Sequence, residues 1–389
     1  MFNPHLSTVP LIVGGDVEKR HGIVLAKNQI AKSLGIKTGD TIWQALGKAP
    51  NLVSVPPRFD LYMKYSKMVF NEYVKFTSRV EPFGPDECWL DVTDSLTLFG
   101  SGKKIADDIR KKVKQKTGLT LSAGVSFNKI FAKLAGDIAD PDSTLEINKD
   151  NFEEILYPLA ADKIMGVGRK TYEKLTKNYI KTIGDLANAD PALLKKVLGK
   201  NGLLLNNYAK GLDFEPVREY VKSRNVKSVG HGLTATRDLI NYDEASTLIY
   251  YLAELVAIRM RKIGVRAGGV ALSLRDNALE TFSCQTKIFS AVNTANQIAD
   301  EAIKLLKRHW DTKTPLRSMG VSAFDLSQAE CGSQTSFFES VDTKSERLEA
   351  ALDKIRAKHG ADKIARATLI AQDFIYDKND DEDFLPFMR

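Results

Sequence analysis

Residues 84–93 read Gly-Pro-Asp-Glu-Cys-Trp-Leu-Asp-Val-Thr and place two adjacent carboxylates, Asp86 and Glu87, between a turn and a short apolar strand. Neighbouring side chains of a regular strand point to opposite faces, so the two carboxylates can serve one ion only where the strand begins. Gly84 and Pro85 supply that break. Mg²⁺ prefers oxygen ligands and is usually held by one or two carboxylates together with substrate phosphates. The pair therefore predicts a divalent-cation site, and a solvated strand end is the simpler alternative.

The same stretch resembles the second catalytic motif of the Y-family, or UmuC-like, lesion-bypass DNA polymerases, which reads Ser-Ile-Asp-Glu-x-x-x-Asp-x-Thr. Asp86, Glu87, Asp91 and Thr93 match that motif, whereas Gly84-Pro85 replaces its Ser-Ile. The resemblance implies an α+β multidomain fold shaped as a right hand, with fingers, a ferredoxin-like palm, a helical thumb and a little finger domain. It also implies two Mg²⁺ ions, with Asp86 and Glu87 as their catalytic ligands, and two substrates, primer-template DNA and deoxynucleoside triphosphates.

Length and composition are those of a chain with several hydrophobic cores. The protein has 389 residues, of which 43% are hydrophobic, and such a length predicts more than one domain. No apolar run reaches transmembrane length, and the polar opening is unlike a signal peptide, so no membrane partner is expected. Cys88, Cys284 and Cys331 are scattered without metal-ligand spacing. This cysteine usage predicts a reducing, cytoplasmic location and no structural zinc.

Charge is unevenly distributed along the chain. The net charge is +7 overall, but residues 161–230 carry 14 Lys and Arg against 7 Asp and Glu. Residues 328–389 carry 9 basic against 13 acidic side chains. A basic middle and an acidic tail are consistent with a polyanion held at the centre of the molecule.

Residues 22–39 predict a strand, a helix and a glycine-containing stop, and they are similar to the fingers segment of the same polymerases. In that family a Tyr and an Arg one helical turn apart reach the triphosphate of the incoming nucleotide. Gln29 stands at the Tyr position and Lys32 at the Arg position. A lysine can meet a phosphate as a point charge but lacks the bidentate fork of arginine. An exposed helical lysine without a ligand is the alternative.

Two helices and a motif define the predicted palm. Residues 61–80 predict a helix that leads into the strand carrying Asp86. Residues 102–116 predict a second helix, with a buried stripe of Ile105, Ile109 and Val113.

Residues 122–135 resemble the palm motif of the family, a strand followed by Asn-Lys-x-x-Ala-Lys-x-Ala. We expect a strand over 119–125 and a helix over 127–138 that is capped by Ser126. Downstream, the family has Asp-x-x-Lys-Pro with a triphosphate-binding Lys. Asp140 occupies that position here, which reverses the local charge expected for a nucleotide site.

Glycines 166 and 168 lie in Met-Gly-Val-Gly-Arg-Lys-Thr, a pattern that resembles a helix-hairpin-helix. Glycines at such a turn let backbone amides approach a phosphate, and the following helix adds its positive dipole end. The predicted contacts to the DNA backbone are Gly166, Gly168 and Lys170, and an ordinary turn between helices is the alternative.

The polar, basic residues 217–227 predict an interdomain linker. Helices near 242–263 and 291–308, together with strands over 269–275 and 316–321, predict a small α+β domain that is similar to the little finger. The resemblance places Arg317, in Arg-x-Met-Gly-Val, at a template-contacting position, with Arg237 in the matching opening segment. Solvated arginines are the alternative.

The C-terminal tail contains Gln-Thr-Ser-Phe-Phe at residues 334–338. This peptide is similar to those that bacterial DNA enzymes insert into the sliding clamp, so Gln334, Phe337 and Phe338 are predicted clamp contacts. Chance matches to pentapeptides are common. A helix is predicted over 344–358.

The resemblance covers nearly the whole chain and predicts six segments: fingers 1–57, palm 58–147, thumb 148–216, linker 217–227, little finger 228–327 and tail 328–389. Family members begin with a strand that carries a catalytic Asp, followed by an aromatic steric gate and a helix. Met1 follows the position of these features, so we expect the natural protein to begin upstream of Met1.

Three functions are consistent with these patterns. The first is translesion DNA synthesis by two-metal nucleotidyl transfer. The second is a noncatalytic remnant that binds DNA and the clamp, and the third is a nuclease or repair factor built on the helix-hairpin-helix.

Overall fold

The computed structural model describes residues 4–15, 22–219, 226–328, 343–360, 363–369 and 372–375. The described residues fall into two compact units: residues 59–219 form one, and residues 4–58 together with 226–375 form the other. Within these ranges no helix is both long and apolar enough to cross a membrane.

The N-terminal region is a three-stranded sheet with two short helices. Its elements are β1 (Leu11–Gly14), β2 (Val24–Lys27), α1 (Gln29–Ser33), α2 (Ile42–Lys48) and β3 (Val53–Val55). Strand β1 is central, antiparallel to β2 and parallel to β3. A capping box between Thr41 and Gln44 fixes the start of α2. The helices cover the sheet, and the buried side chains form a small core of their own: Ile12, Val24, Ala31, Ile36, Ile42, Ala45 and Ala49.

Residues 59–147 contain two separate pairs of strands among four helices. The elements are α3 (Phe59–Tyr73), β4 (Val80–Pro82), β5 (Cys88–Leu90), α4 (Leu96–Phe99), α5 (Gly102–Thr117), β6 (Ala123–Val125), α6 (Lys129–Ile138) and β7 (Thr144–Glu146). Strands β4 and β5 are antiparallel, whereas β6 and β7 are parallel. The predicted stripe of Ile105, Ile109 and Val113 on α5 is confirmed, since all three are buried.

Two details of this region differ from the predictions. The helix predicted over 61–80 ends at Tyr73, because the chain then turns Phe76 into the core and Val80 starts β4. Ser126 does not cap α6. The N-cap is Asn128, whose side chain accepts a hydrogen bond from the Phe131 amide at 2.8 Å and donates one to the Gly211 carbonyl at 3.0 Å.

Residues 148–219 are helical. The helices are α7 (Phe152–Leu156), α8 (Arg169–Lys177), α9 (Ile183–Asn188), α10 (Pro191–Leu198) and α11 (Lys200–Ala209). They share one core with α6, built from residues such as Leu134, Leu175, Ile183 and Leu205. The palm motif and the helices that follow it are therefore packed as one body.

Residues 226–328 form a four-stranded antiparallel sheet with two helices on one face. The elements are β8 (Ser228–Leu239), α12 (Tyr242–Lys262), β9 (Val265–Asp276), β10 (Thr281–Val292), α13 (Ala295–His309) and β11 (Leu316–Gln328), and the strand order is β10-β9-β11-β8. This arrangement confirms the predicted α+β class. Strand β10 is absent from the predicted elements, because it is an edge strand whose inward side chains are only half-buried.

Helix α14 (Thr343–His359) follows, and the core of this domain extends to Phe374, which is 1% exposed. The tail beyond residue 327 therefore supplies a buried side chain to the domain that precedes it.

Alanine substitutions at Gly124 and Gly136 test how closely α6 packs on β6. A Cβ on Gly124 would lie 2.0 Å from the Ala132 carbonyl oxygen, whereas a Cβ on Gly136 would meet nothing closer than 3.4 Å. We expect Gly124→Ala to lower the free energy of unfolding by ~1–3 kcal/mol or more, because backbone must move. Gly136→Ala should stabilise by ~0.5–1 kcal/mol, since alanine is the better helix former. Urea denaturation measures both changes, and equal stabilities would contradict the close approach.

Candidate functional site

The two adjacent carboxylates Asp86 and Glu87, here called the acid pair, lie at the turn between β4 and β5. Gly84 has φ +84°, and the Phe83 amide donates to the Glu87 carbonyl at 2.8 Å, which closes the turn just before β5. The Asp86 side chain is exposed and, within the described part of the chain, makes no hydrogen bond or ion pair. Asp86 therefore presents a free carboxylate at the point where the sequence predicts a cation site.

Glu87 differs from Asp86 because it has a cationic partner. The Lys133 ammonium on α6 lies 3.1 Å from Glu87 Oε1 and 2.7 Å from Asp137 Oδ1. Burial opposes the charge on Lys133, but the bonds to Asp137 and Glu87 outweigh it and raise the lysine pKa. Lys133 thus connects the acid pair to the palm-motif helix.

The side chains below the acid pair are apolar or neutral. Burial, followed by the charges of Glu87 and Asp86, raises the pKa of the Cys88 thiol to about 12. Burial, with Cys88 and Asp86 as lesser causes, raises the pKa of Tyr73 as well. Both groups are therefore neutral at physiological pH and add no charge next to the acid pair.

A buried ion pair holds the hairpin against α6. Lys129 Nζ lies 2.9 Å from Glu81 Oε2, and both side chains are less than 10% exposed. The ammonium also stands 4.8 Å from the centre of the Trp89 ring, and the Trp89 indole donates to the Lys129 carbonyl at 3.0 Å. The Arg218 amide donates to the same Glu81 oxygen at 2.9 Å. The strands beside the acid pair are therefore fixed to α6 and to the start of the predicted linker.

These residues fit a divalent cation only in part. Two adjacent carboxylates, one of them unpaired, suit a hard cation whose remaining ligands come from water and phosphate oxygens. Across the described ranges, no cluster of three or more His, Cys, Asp or Glu side chains forms a metal site. The described residues thus offer two adjacent carboxylates at this turn, fewer than a protein-only metal site requires.

The predicted nucleotide contacts lie in the N-terminal region. Gln29 is the first residue of α1 and Lys32 lies one turn later, and both side chains are exposed. Asn28 caps the helix by accepting from the Ala31 amide at 2.9 Å. This short, capped helix presents both polar side chains to solvent on neighbouring positions.

The predicted hairpin is a turn between a short 3₁₀ segment and α8. Gly166 has φ +93°, a conformation that favours glycine. Gly168 is the N-cap of α8, and a Cβ there would meet nothing within 4 Å. Because Gly168 has no side chain to cap the helix, the first-turn N–H groups remain available to an anion. Lys170 is exposed in that first turn.

The C-terminal sheet has an open face opposite α12 and α13. Its centre is lined by small residues: Gly230, Gly232, Ser273, Ser283, Gly320 and Ser322. Arg317 lies on β11 beside an irregularity between Leu316 and Ser318. Arg237 lies on the edge strand β8, where its guanidinium is held by Glu244 and Asp373 at 2.9 and 3.1 Å. The predicted clamp residues Gln334, Phe337 and Phe338 lie outside the described residues.

Sequence reasoning missed Lys133 and the Lys129–Glu81 pair. Both lysines belong to the palm motif, so the motif itself was the available signal. Their partners are 46 and 48 residues away in the chain, and no local pattern joins them.

Comparison with known proteins agrees with this architecture. Residues 1–137 match the impB/mucB/samB family, and residues 226–337 match the impB/mucB/samB family C-terminal domain. DNA polymerase IV of Acetivibrio thermocellus is 39% identical over 373 residues, which span 95% of this chain and 93% of that protein.

Solved structures are similar too. A Y-family DNA polymerase chimera of Dbh and Dpo4 has a TM-score of 0.73 and 26% identity, covering 83% of this chain and 94% of that one. The insertion ternary complex of Dbh DNA polymerase has a TM-score of 0.59 and 25% identity, covering 83% and 93%.

The fold and these relatives identify a DNA-directed DNA polymerase of the Y-family class. The chain belongs to the impB/mucB/samB family, whose relatives cited above are DNA polymerases.

The neutral Cys88 thiol gives a test of the packing below the acid pair. In a Cys284→Ser, Cys331→Ser background with a chelator present, we expect Cys88 to react with a thiol reagent at pH 8 far more slowly than in the urea-unfolded chain. The rate should rise about tenfold per pH unit, because only the thiolate reacts. Equal rates for folded and unfolded chains at pH 8 would show that the thiol is not buried.

Proposed function

We propose that this chain carries out template-directed DNA synthesis, including synthesis across damaged DNA, by two-metal nucleotidyl transfer. The observation that carries the proposal is the free Asp86 carboxylate beside Glu87 at a turn fixed to the palm-motif helix. The substrates are primer-template DNA and deoxynucleoside triphosphates.

Asp86 and Glu87 would hold Mg²⁺ beside the reacting phosphates, whose oxygens supply the remaining ligands of the ion. When bound, two such ions activate the attacking hydroxyl and stabilise charge on the leaving pyrophosphate. Lys133 then has a positional role, because Asp137 offers it a second carboxylate at 2.7 Å. Asp137 would keep the Lys133 ammonium paired while Glu87 binds Mg²⁺.

Gln29 and Lys32 would contact the triphosphate from the fingers. Lys32 supplies one point charge, and Gln29 supplies hydrogen bonds without charge. Because Asp140 occupies the position of the family lysine, this chain depends more heavily on Lys32 and on bound cations for phosphate neutralisation.

Gly166, Gly168 and Lys170 would hold the DNA backbone at the hairpin, and Arg237 and Arg317 would contact it from the little finger. Backbone contacts position a duplex without reading its sequence, which suits an enzyme that advances along a template. Glycine and serine residues line the centre of the open face of the sheet, and their small side chains would let a duplex approach the strands there.

We further propose that residues 334–338 bind the sliding clamp through Gln334, Phe337 and Phe338, and that the protein works in the cytoplasm. Two adjacent phenylalanines in a polar stretch are a suitable anchor for a pocket on a partner.

A conservative double substitution tests the catalytic assignment. Asp86→Asn with Glu87→Gln should reduce primer extension in Mg²⁺ by at least about 10³-fold, because the amides keep the shape but lose the charge that binds cations. Duplex affinity should stay within about twofold of the wild type, since these residues do not hold the backbone.

Wild-type extension, binding without extension, and strand cleavage are separate outcomes of the same assay. Extension that survives the double substitution refutes the metal assignment. Cleavage of the template would indicate a nuclease.

Substitution in the hairpin tests the DNA contact. Lys170→Ala should weaken duplex binding for all sequences alike and reduce the slope of log affinity against log salt by ~0.9, the contribution of one phosphate contact. Lys304→Ala is the control, because Lys304 lies on α13 and pairs with Glu301 at 2.6 Å. The same slope for Lys170→Ala and wild type would remove Lys170 from the interface.

A further inference from the structure

The C-terminal segment is attached to the little finger domain by ion pairs. On α14, Asp353 lies 2.7 Å from Arg261, and Glu346 lies 2.7 Å from Arg266. Glu349 also accepts a hydrogen bond from the Ala295 amide at 2.7 Å and so caps α13, because the side chain of the N-cap residue Thr294 bonds to Gln297 and not to a backbone amide of the helix. Residues 343–375 lie beyond the part of the chain that matches the C-terminal family domain, residues 226–337. The described residues of this segment, 343–360, 363–369 and 372–375, nevertheless pack onto that domain.

The last described residues of this segment reach the free edge of β8. The Thr236 amide donates to the Phe374 carbonyl at 3.2 Å, and the Thr236 hydroxyl donates to the Asp373 carbonyl at 2.6 Å. Phe374 is buried in the domain core at 1% exposure. The Phe374 ring therefore anchors its neighbour Asp373 beside β8.

Asp373 pairs with Arg237, the arginine of the little finger that is proposed to contact DNA. Arg237 Nε lies 3.1 Å from Asp373 Oδ2, and Arg237 Nη2 lies 3.1 Å from Asp373 Oδ1, a two-pronged contact. Glu244 holds the same guanidinium at 2.9 Å, and the Phe374 ring lies 5.2 Å from its centre. One cation between two carboxylates leaves an excess negative charge, which opposes a DNA phosphate at this position.

We propose that Asp373 is a tethered competitor for the phosphate-binding site of Arg237, so that the C-terminal segment lowers the DNA affinity of the little finger. The inference rests on the proposed DNA contact of Arg237. The Asp373 side chain is 70% exposed, so it can leave the guanidinium without uncovering apolar surface. Phe374 stays buried during this exchange and keeps the carboxylate within reach, which gives it a high effective concentration against phosphate.

Duplex binding across a range of salt concentrations tests the proposal. Asp373→Asn should tighten binding about three- to tenfold at low salt and steepen the log–log salt slope by ~0.9, because Arg237 then pairs with one more phosphate. Asp373→Glu should resemble the wild type, since it keeps the charge. Glu301→Gln is the matched control, because it removes one negative charge from the same domain on α13 and should not change the slope.

Combining Asp373→Asn with Arg237→Ala shows whether the tighter binding comes from the release of Arg237 or from the loss of a negative charge anywhere in the domain. In the Asp373→Asn background, Arg237→Ala should return both affinity and slope to the wild-type values or below. A gain that persists without Arg237, an Asp373→Asn variant that binds like Glu301→Gln, or weaker binding by Asp373→Asn would each overturn the proposal.

Thermal unfolding shows that the variants remain folded, and Phe374→Ala gives a second route to the same result. Loss of the buried ring should detach Asp373 and tighten binding, even though the melting temperature falls. Tightening with Asp373→Asn but not with Phe374→Ala would contradict the anchoring role. A wild-type protein that shows no salt-dependent duplex binding would instead refute the proposed DNA-binding function.

Discussion

The position of the acid pair, Asp86 and Glu87, depends on the buried ion pair between Lys129 and Glu81. Two charges that are less than 10% exposed are stable only when each satisfies the other, and removal of one partner leaves an unpaired buried charge. Glu81 lies on β4, Lys129 opens α6, and the Arg218 amide binds the same carboxylate. A single buried contact thus fixes the hairpin that carries the acid pair to the palm-motif helix and to the start of the predicted linker.

The same helix governs the electrostatics of the acid pair. Its N-terminal lysine, Lys129, is committed to structure, and Lys133 one turn later reaches Glu87 from the same side. Asp86 receives neither cation. The pair is therefore asymmetric, because the Asp86 carboxylate is exposed and unpaired among the described residues whereas Lys133 holds Glu87 in a defined position.

Local patterns predicted the parts of the fold that depend on local physics. The apolar stripe of α5 and the long α12 follow from helical periodicity, and both are present. The prediction that Ser126 caps α6 was wrong. Ser126 and Asn128 are both good capping residues, and only the contact of Asn128 with Gly211 favours Asn128. Strand β10 was missed because an edge strand with half-buried inward residues carries a weak alternation.

Ion pairs between residues far apart in the chain neutralise part of the charge that was counted from the sequence. The basic middle of the chain and the acidic excess of residues 328–389 predicted a polyanion held at the centre of the molecule. Several carboxylates of that acidic segment instead pair with arginines of the preceding domain: Glu346, Glu349, Asp353 and Asp373. Asp373 and Arg237 are 136 residues apart, so composition cannot show that they meet. The cations of the little finger are thus partly neutralised from within the chain. We therefore expect the affinity of this domain for DNA to depend on which carboxylates phosphate displaces, rather than on the number of its arginines.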